Sequence, residues 1–493
     1  MQFSRTIAAR LLPKRLDPDY YAPQHLADEE QFDRIGSILL GDTGKLFAGP
    51  FGSLLPTIAF VDNGIPLFRV GNVAEMEVNY EDLAKIPESL HQEIKASEIT
   101  AGDLLIVKAS VGEKICVVPS DIPKGNVTQH IIGLHPNGRC DMYFVAAALF
   151  GSYGRRQLQR RALGAIIQYL GVQEARTVLL PKLGSDAQAY IGNKVRQAET
   201  LRSRAKTTEG QFRAAISEEI SRPDKRAKFS RVTAGMLVGD LNPGRFDPDR
   251  LEVRNRLFAN GGRRLSDFAR IVTNNIDDYP RDQRYLGLDG ISTSSIDITF
   301  ETAAEADANG TSRKLLEGAV LSKLRPYLNK VGYISSEDAG AIGSTELLCV
   351  QSDEVHGGYI YGVLKLETTT RQLNPISTGA TLPRIGSADV LDVVVPWSDD
   401  HEVWGQRLAA AQLSYKSAKR LTTAARFLVE ALIEQKVTEA DLIAAHKDPE
   451  RDRELLARLT TKGLDVADAP PLFPDLDALN ELLNASDEGE VGV

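Results

Sequence analysis

The sequence predicts an α/β protein with long helices: two mixed α/β domains in tandem pseudo-repeat, separated by two long antiparallel coiled-coil-like helices. Three observations carry this. Residues 156–181, RQLQRRALGAIIQYLGVQEARTVLLP, return as residues 371–396, RQLNPISTGATLPRIGSADVLDVVVP. Arg156, Gln157, Leu158, Gly164, Ala165, Gly171 and Pro181 become Arg371, Gln372, Leu373, Gly379, Ala380, Gly386 and Pro396, always 215 residues on. Each copy is built from short apolar runs bounded by Gly, Pro, Asn or Asp, which are strand signals. Each is followed by 35 residues without proline, 187–221 and 402–436.

The duplication extends in both directions. RLDPDYYAP (15–23) echoes RFDPDRLEV (245–253) at an offset of 230, and GDLLIVK (102–108) echoes GAVLSKL (318–324) at 216. TQH (128–130) falls on STE (344–346) at 216, and IGNKVRQAETLRSRAK (191–206) on WGQRLAAAQLSYKSAK (404–419) at 213. Small insertions and deletions in loops produce such drift. The unit is a globular part followed by a helix, present twice.

Within the first globular part, PLFRV (66–70), DLLIV (103–107), ICVVP (115–119) and HIIGL (130–134) read as strands. Residues 142–163 read as one helix, partnered by 358–375, which Pro375 ends early. In the long segments, Ile191, Val195, Ala198, Leu201 and Ala205, and again Trp404, Leu408, Ala411, Tyr415, Ala418 and Leu421, recur at three and four residues. Each is a narrow, alanine-rich stripe, and two such stripes bury each other most simply as an antiparallel pair. At 1.5 Å per residue the pair forms a rod of roughly 50 Å.

Composition bounds the function. The chain has 493 residues and a net charge of −9. After Lys462 there are eight acids and no base, which leaves the rest of the chain at −1. A nearly neutral body can still own a basic face. The acidic end is expected to be a solvated, partly helical extension rather than a docking segment. Three scattered cysteines, Cys116, Cys140 and Cys349, point to reduced thiols and a cytoplasmic protein, with no disulfide framework or zinc site. No run of 18 apolar residues occurs, and the basic N-terminus has no signal-peptide pattern.

Catalytic signatures are weak. Asp17-Pro18-Asp19-Tyr20 is a near miss to the D-P-P-Y motif of amino-methyltransferases; its echo, Asp247-Pro248-Asp249-Arg250, has no aromatic, and no F-x-G-x-G loop accompanies either. Both read as Asp-Pro turns entering a helix. PSDIPK (119–124) falls short of a nuclease carboxylate pattern, and P-loop, HExxH and G-x-S-x-G motifs are missing. The expectation is a protein that is not an enzyme and needs no cofactor.

A basic face would suit nucleic acid, where base edges in the major groove call for bidentate donors and acceptors, and phosphates for Lys, Arg, Ser, Thr or backbone N–H. At strand ends and turns, candidate DNA-binding residues in the first domain are Arg69, Asn72, Lys108, Ser110, Gln129 and Gln168, with Lys114 beside them. In the second they are Lys323, Arg325, Tyr327, Thr345 and Arg384, with Lys330 nearby. Arg325 and Arg384 adjoin prolines and rank first. Arg155, Arg156, Arg160 and Arg161 form either a phosphate-facing cluster or a solvated helix face. TQH against STE, and IIQYLG against TLPRIG, show that the two copies have diverged where contacts are expected.

The order of GPFGS (49–53), GIPLFRVGNV (64–73), GDLLIVKASVGEKICVVP (102–119), LSKLRPYLNKVGYI (321–334) and GATLPRIGSADVLDVVVP (379–396), with a long helix after each half, resembles the specificity (S) subunit of type I restriction-modification systems. The resemblance covers nearly everything up to about residue 437. The last 56 residues have no place in the pattern, and the Lys-Leu-Arg-Pro-Tyr run at 323–327 has no counterpart in the first half.

The resemblance implies an N-terminal target-recognition domain (1–186), a first spacer helix (187–222), a C-terminal target-recognition domain (223–398), a second spacer helix (399–437) and an acidic extension (438–493). It implies a non-catalytic subunit that reads a bipartite, asymmetric site on double-stranded DNA. Two methyltransferase subunits would dock on its helices, and restriction subunits through them. On that view Arg202→Glu with Lys416→Glu, on the exposed sides of the helices, weakens assembly and leaves the domains folded. The competing readings are a DNA-binding or assembly scaffold of another phage-defence system, and a stand-alone methyltransferase or nuclease.

Overall fold

The computed structural model describes residues 18–50, 60–109, 111–164, 168–216, 220 and 242–485. The chain divides into two units, Met1–Leu201 with Ser417–Val493, and Arg202–Lys416. The division passes through both long helices, Ser185–Ile216 and His401–Ile433.

In the first unit the four expected strands are joined by four others, and the eight form two four-stranded sheets. One runs Gly44–Ala48, Ile131–Pro136, Leu104–Val107, Ile115–Val117, all antiparallel. The other runs Ala84–Ile86, Ile65–Phe68, Lys124–Val127, Glu98–Thr100, with the middle pair parallel. All four residues of Leu104–Val107 are buried because both faces of the strand are covered. Leu104 and Ile106 pack with the helix Met142–Phe150, while Leu105 and Val107 join Phe68, Ile99 and Val127 between the sheets.

The second unit repeats the first sheet in the same order: Arg270–Val272, Leu347–Gln351, Gly318–Ser322, Val331–Ile334. Even the register is kept. Leu105 faces Gly133 as Val320 faces Cys349. Its companion sheet has five short strands, Asn275–Ile276, Ser312–Lys314, Ile342–Gly343, Arg284–Leu286 and Glu301–Thr302.

Three sequence expectations need correction. The helix expected over 142–163 is two helices, Met142–Phe150 and Ser152–Arg161. The break at Gly151 (φ −60°, ψ 163°) recurs at Leu366 (φ −64°, ψ 149°), between Gly357–Lys365 and Glu367–Leu373. Any residue adopts this extended backbone, so glycine is not the cause. In the first unit the N–H of Ser152 that the break leaves without a helical partner donates to the Glu430 carboxylate at 2.6 Å, an anion at a helix N-terminus.

The Asp-Pro echo is also out of structural register. Ile38 pairs Leu180 and Arg263 pairs Val395, so the leading helices stand 225 residues apart, not 230. Asp247 does cap its helix, accepting from the N–H groups of Asp249 and Arg250; Asp17 lies outside the described residues.

The acidic extension is folded into the first unit. Helices Glu439–Lys447 and Pro449–Ala457, a hairpin at 459–464 and the helix Leu476–Asn484 bury Leu442, Leu456, Leu459 and Phe473 in its main core. Asp452 accepts from Lys194 Nζ and the Tyr190 hydroxyl, both at 2.8 Å. Charge alone misled here, because the acids lie around an apolar stripe.

The long helices pack antiparallel as expected. In the first unit Ala198 and Leu201 share a core with Ala418 and Leu421; in the second Ala205 and Phe212 share one with Leu408 and Ala411. Among the described residues no helix is long and apolar enough to cross a membrane. Cys116, Cys140 and Cys349 are buried free thiols.

Candidate nucleic-acid interface

Three segments meet at the ends of the two central strands of each main sheet, held by the same backbone hydrogen bonds. In the first unit Lys108 N–H donates to His130 O at 2.9 Å and Leu170 N–H to Lys108 O at 3.0 Å. Leu163 and Tyr169 exchange bonds of 3.0 and 2.8 Å. In the second, Lys323 N–H donates to Glu346 O at 2.8 Å, Ile385 N–H to Lys323 O at 3.1 Å, and Thr378 and Arg384 exchange bonds of 2.9 and 2.8 Å. The frame therefore places Lys108 with Lys323, Gln129 with Thr345, His130 with Glu346, and Tyr169 with Arg384.

Identical frames carry different chemistry. In the first unit Lys108 Nζ lies 5.2 Å from the Tyr169 ring centre, a cation–π distance, and burial pulls its pKa below the usual lysine range. The Tyr169 hydroxyl donates to Gln129 O at 3.0 Å, its ring stands edge-on to His130, and Gln129 Nε2 lies 3.0 Å from the His130 ring nitrogen. Gln168 beside them is exposed, and Lys114 is half-buried.

In the second unit the same two places hold an ion pair. Arg384 Nε approaches Glu346 Oε2 at 3.2 Å, with Nη2 at 3.4 Å from Oε1. Arg325 sits next to it in the left-handed region (φ 51°), its N–H bonded to Pro383 O at 2.7 Å, and its buried Nε has no hydrogen-bond partner. Left-handed backbone at a non-glycine costs about 1–2 kcal/mol and gathers at functional sites. Tyr327 is exposed, while Lys323 and Thr345 are half-buried, and Thr345 O accepts from Arg313. Lys330 is turned inward to Leu288 O and Asp289.

The first unit also has a groove of about 630 Å³ lined by Phe60, Arg69, Asn72, Thr128, Gln129 and His130. Arg69 lies over the Phe60 ring and donates to Asp82 O. Asn72 is buried. Its carboxamide accepts from Arg69 N–H at 3.0 Å and donates to Asn79 O and Glu81 O, both at 3.1 Å. This side chain holds the loop that carries Arg69. Asn72→Ala should destabilise the first unit by about 1–3 kcal/mol, because three partly buried hydrogen bonds that fix the loop are lost. Thermal unfolding checks this; a melting temperature equal to wild type would contradict it. Ser110 lies outside the described residues.

The four arginines expected as a phosphate-facing cluster or a solvated face are largely internal struts. Arg156 grips Asp28 through Nε and Nη2 at 2.8 and 2.9 Å. Arg160 binds Glu29 at 2.6 Å and lies over the Tyr20 ring, and Arg161 holds Thr177 and Gln157. Arg155 stacks over Phe150. The second unit repeats the strut: Arg371 grips Asp249 at 3.0 and 2.6 Å.

His130, Tyr169 and Glu346 were not among the sequence candidates. They lie in the stretches singled out as diverged, and alignment by offset already juxtaposed Tyr169 with Arg384 and His130 with Glu346.

No family model and no curated protein sequence matches the chain. Among solved structures it is similar to the S subunit of a type I restriction-modification system from M. genitalium, at 10% identity and a TM-score of 0.37, over 80% of this chain and 94% of that one. It is also similar to the HsdS subunit of Thermoanaerobacter tengcongensis, at 12% identity and a TM-score of 0.27, over 81% and 95%. A third similar structure, from work on complex assembly and conformational transition of the type I R-M system, has 12% identity and a TM-score of 0.25, over 83% and 96%.

Proposed function

We propose that this chain is the DNA-sequence specificity subunit of a type I restriction-modification complex, non-catalytic and cytoplasmic. It reads two dissimilar half-sites on double-stranded DNA, one with each α/β domain, and docks two methyltransferase subunits and, through them, restriction subunits. One observation carries the reading: a duplicated backbone frame that presents different side chains at matched positions. A scaffold has no use for a conserved frame with changed tips, whereas a reader of an asymmetric sequence requires it.

The first domain offers Arg69, Gln129 and Gln168, with His130, Tyr169 and Lys108 behind them. The second offers Lys323, Arg325, Tyr327, Thr345 and Arg384. Asn72 supports its loop. Docking is confined to the exposed helix faces. On the first helix these are Ser185, Thr200, Ser203, Lys206, Thr207, Gln211, Arg213, Ala214 and Ala215; on the second, Glu402, Val403, Gln406, Arg407 and Ala410. From Ala411 to Ile433 no residue of the second helix is exposed.

Selection of bound duplexes from a random library by the full chain, alone and with its methyltransferase partner, tests the proposal. The expected result is one motif of two unequal blocks with an unspecified gap. A contiguous or palindromic motif, or no enrichment, would refute it.

A further inference from the structure

We propose that Arg384 reads a guanine in the half-site of the second domain, and that Glu346 is the positioning residue that points it at the base rather than at a phosphate. The inference rests on the DNA reading above. Arg384 is half exposed, in the hydrogen-bonded pair with Thr378 that closes the Gly-Ala loop, next to the left-handed Arg325. Glu346 engages the Nε–Nη2 edge of its guanidinium. Arginine has five N–H donors in a planar fork, so the Nη1 edge remains to donate, with Nη2, to the O6 and N7 acceptors of guanine.

The carboxylate decides between the two partners. A guanidinium paired with a carboxylate at 3.2 Å carries little net charge, and the same carboxylate repels a phosphate. It does not repel a G·C base edge, whose cytosine amino group is itself a donor that Glu accepts. The matched place in the first domain is held by Tyr169 and His130, which have no guanidinium and no carboxylate, so that domain does not read its base pair in this way.

The experiment is selection from a random duplex library with the full chain and its Arg384→Ala, Arg384→Lys and Glu346→Gln variants. Wild type is expected to enrich guanine at one position of one half-site. Arg384→Ala removes that preference by about tenfold to a hundredfold. Arg384→Lys keeps the charge but loses the fork, and loses most of the preference. Glu346→Gln weakens the preference and raises sequence-independent binding that falls away with salt. The other half-site, unchanged in each variant, shows that the protein is folded. A uniform loss of affinity with the guanine preference intact would make Arg384 a phosphate contact and overturn the assignment. Intact preference with intact affinity overturns it as well. If wild type enriches no motif at all, the DNA reading falls and this assignment with it.

Discussion

Lys416→Met should destabilise the second unit by about 3–5 kcal/mol, and Lys416→Glu by more. The ammonium lies 2.9 Å from Glu337 and 2.7 Å from Asp338, and also donates to Ser335 at 2.8 Å. Asp338 has a fully buried side chain, with Arg284 at 2.6 Å as its second cation. Burial pushes the Asp338 carboxyl up, but Lys416 and Arg284 together hold it below the usual carboxylate range. Its contribution is therefore present above the unfolded carboxylate pKa and is lost as pH falls through the folded value.

Without Lys416 that pKa rises, the folded state binds its proton more readily, and the deficit against wild type narrows in acid. Denaturant unfolding at neutral pH and near pH 4 measures both effects. A deficit under 1 kcal/mol at neutral pH, or one that widens in acid, would contradict the argument. The consequence for function is direct. The sequence expectation pairs Lys416→Glu with Arg202→Glu as a change on exposed helix sides that disturbs only partner docking, yet this lysine lies inside the unit. Lost assembly in that variant would report a damaged domain.

Phe212→Ala should cost about 3–5 kcal/mol, the range for emptying a buried phenylalanine site. Phe212 packs edge-on against the rings of Tyr359 and Trp404, at 5.9 and 5.7 Å. A Cβ added at Gly362 would meet its ring at 2.6 Å. The site cannot collapse easily, because both long helices and the helix Gly357–Lys365 meet there and each is fixed by its own neighbours. Chemical unfolding monitored by tryptophan fluorescence reads the change, and a loss under 1 kcal/mol would mean the helices repack.

Much of the architecture is written locally. The duplication is visible because both copies must close the same hydrogen-bonded frame, and glycine, proline and short apolar runs mark its turns and strands. Helical periodicity located the long helices for the same reason: burial of one stripe repeats every three or four residues. The polar residues that end up on the shared frame, Lys108, Gln129 and Arg384, were also legible.

Spacing could not say which polar groups face outward. Asn72 looks like a base reader until its carboxamide is seen bonded to carbonyls seven and nine residues on. Arg156 finds Asp28 across 128 residues and Arg371 finds Asp249 across 122. Glu346 meets Arg384 across 38. The acidic extension becomes part of a core only because the first unit presents Lys194, Tyr190 and an apolar face to it. The sequence by itself determined the repeated scaffold, since strand and helix patterns are set by neighbours along the chain. Only the tertiary structure decided which charges are struts and which are tips, because that depends on partners brought together by folding from distant positions.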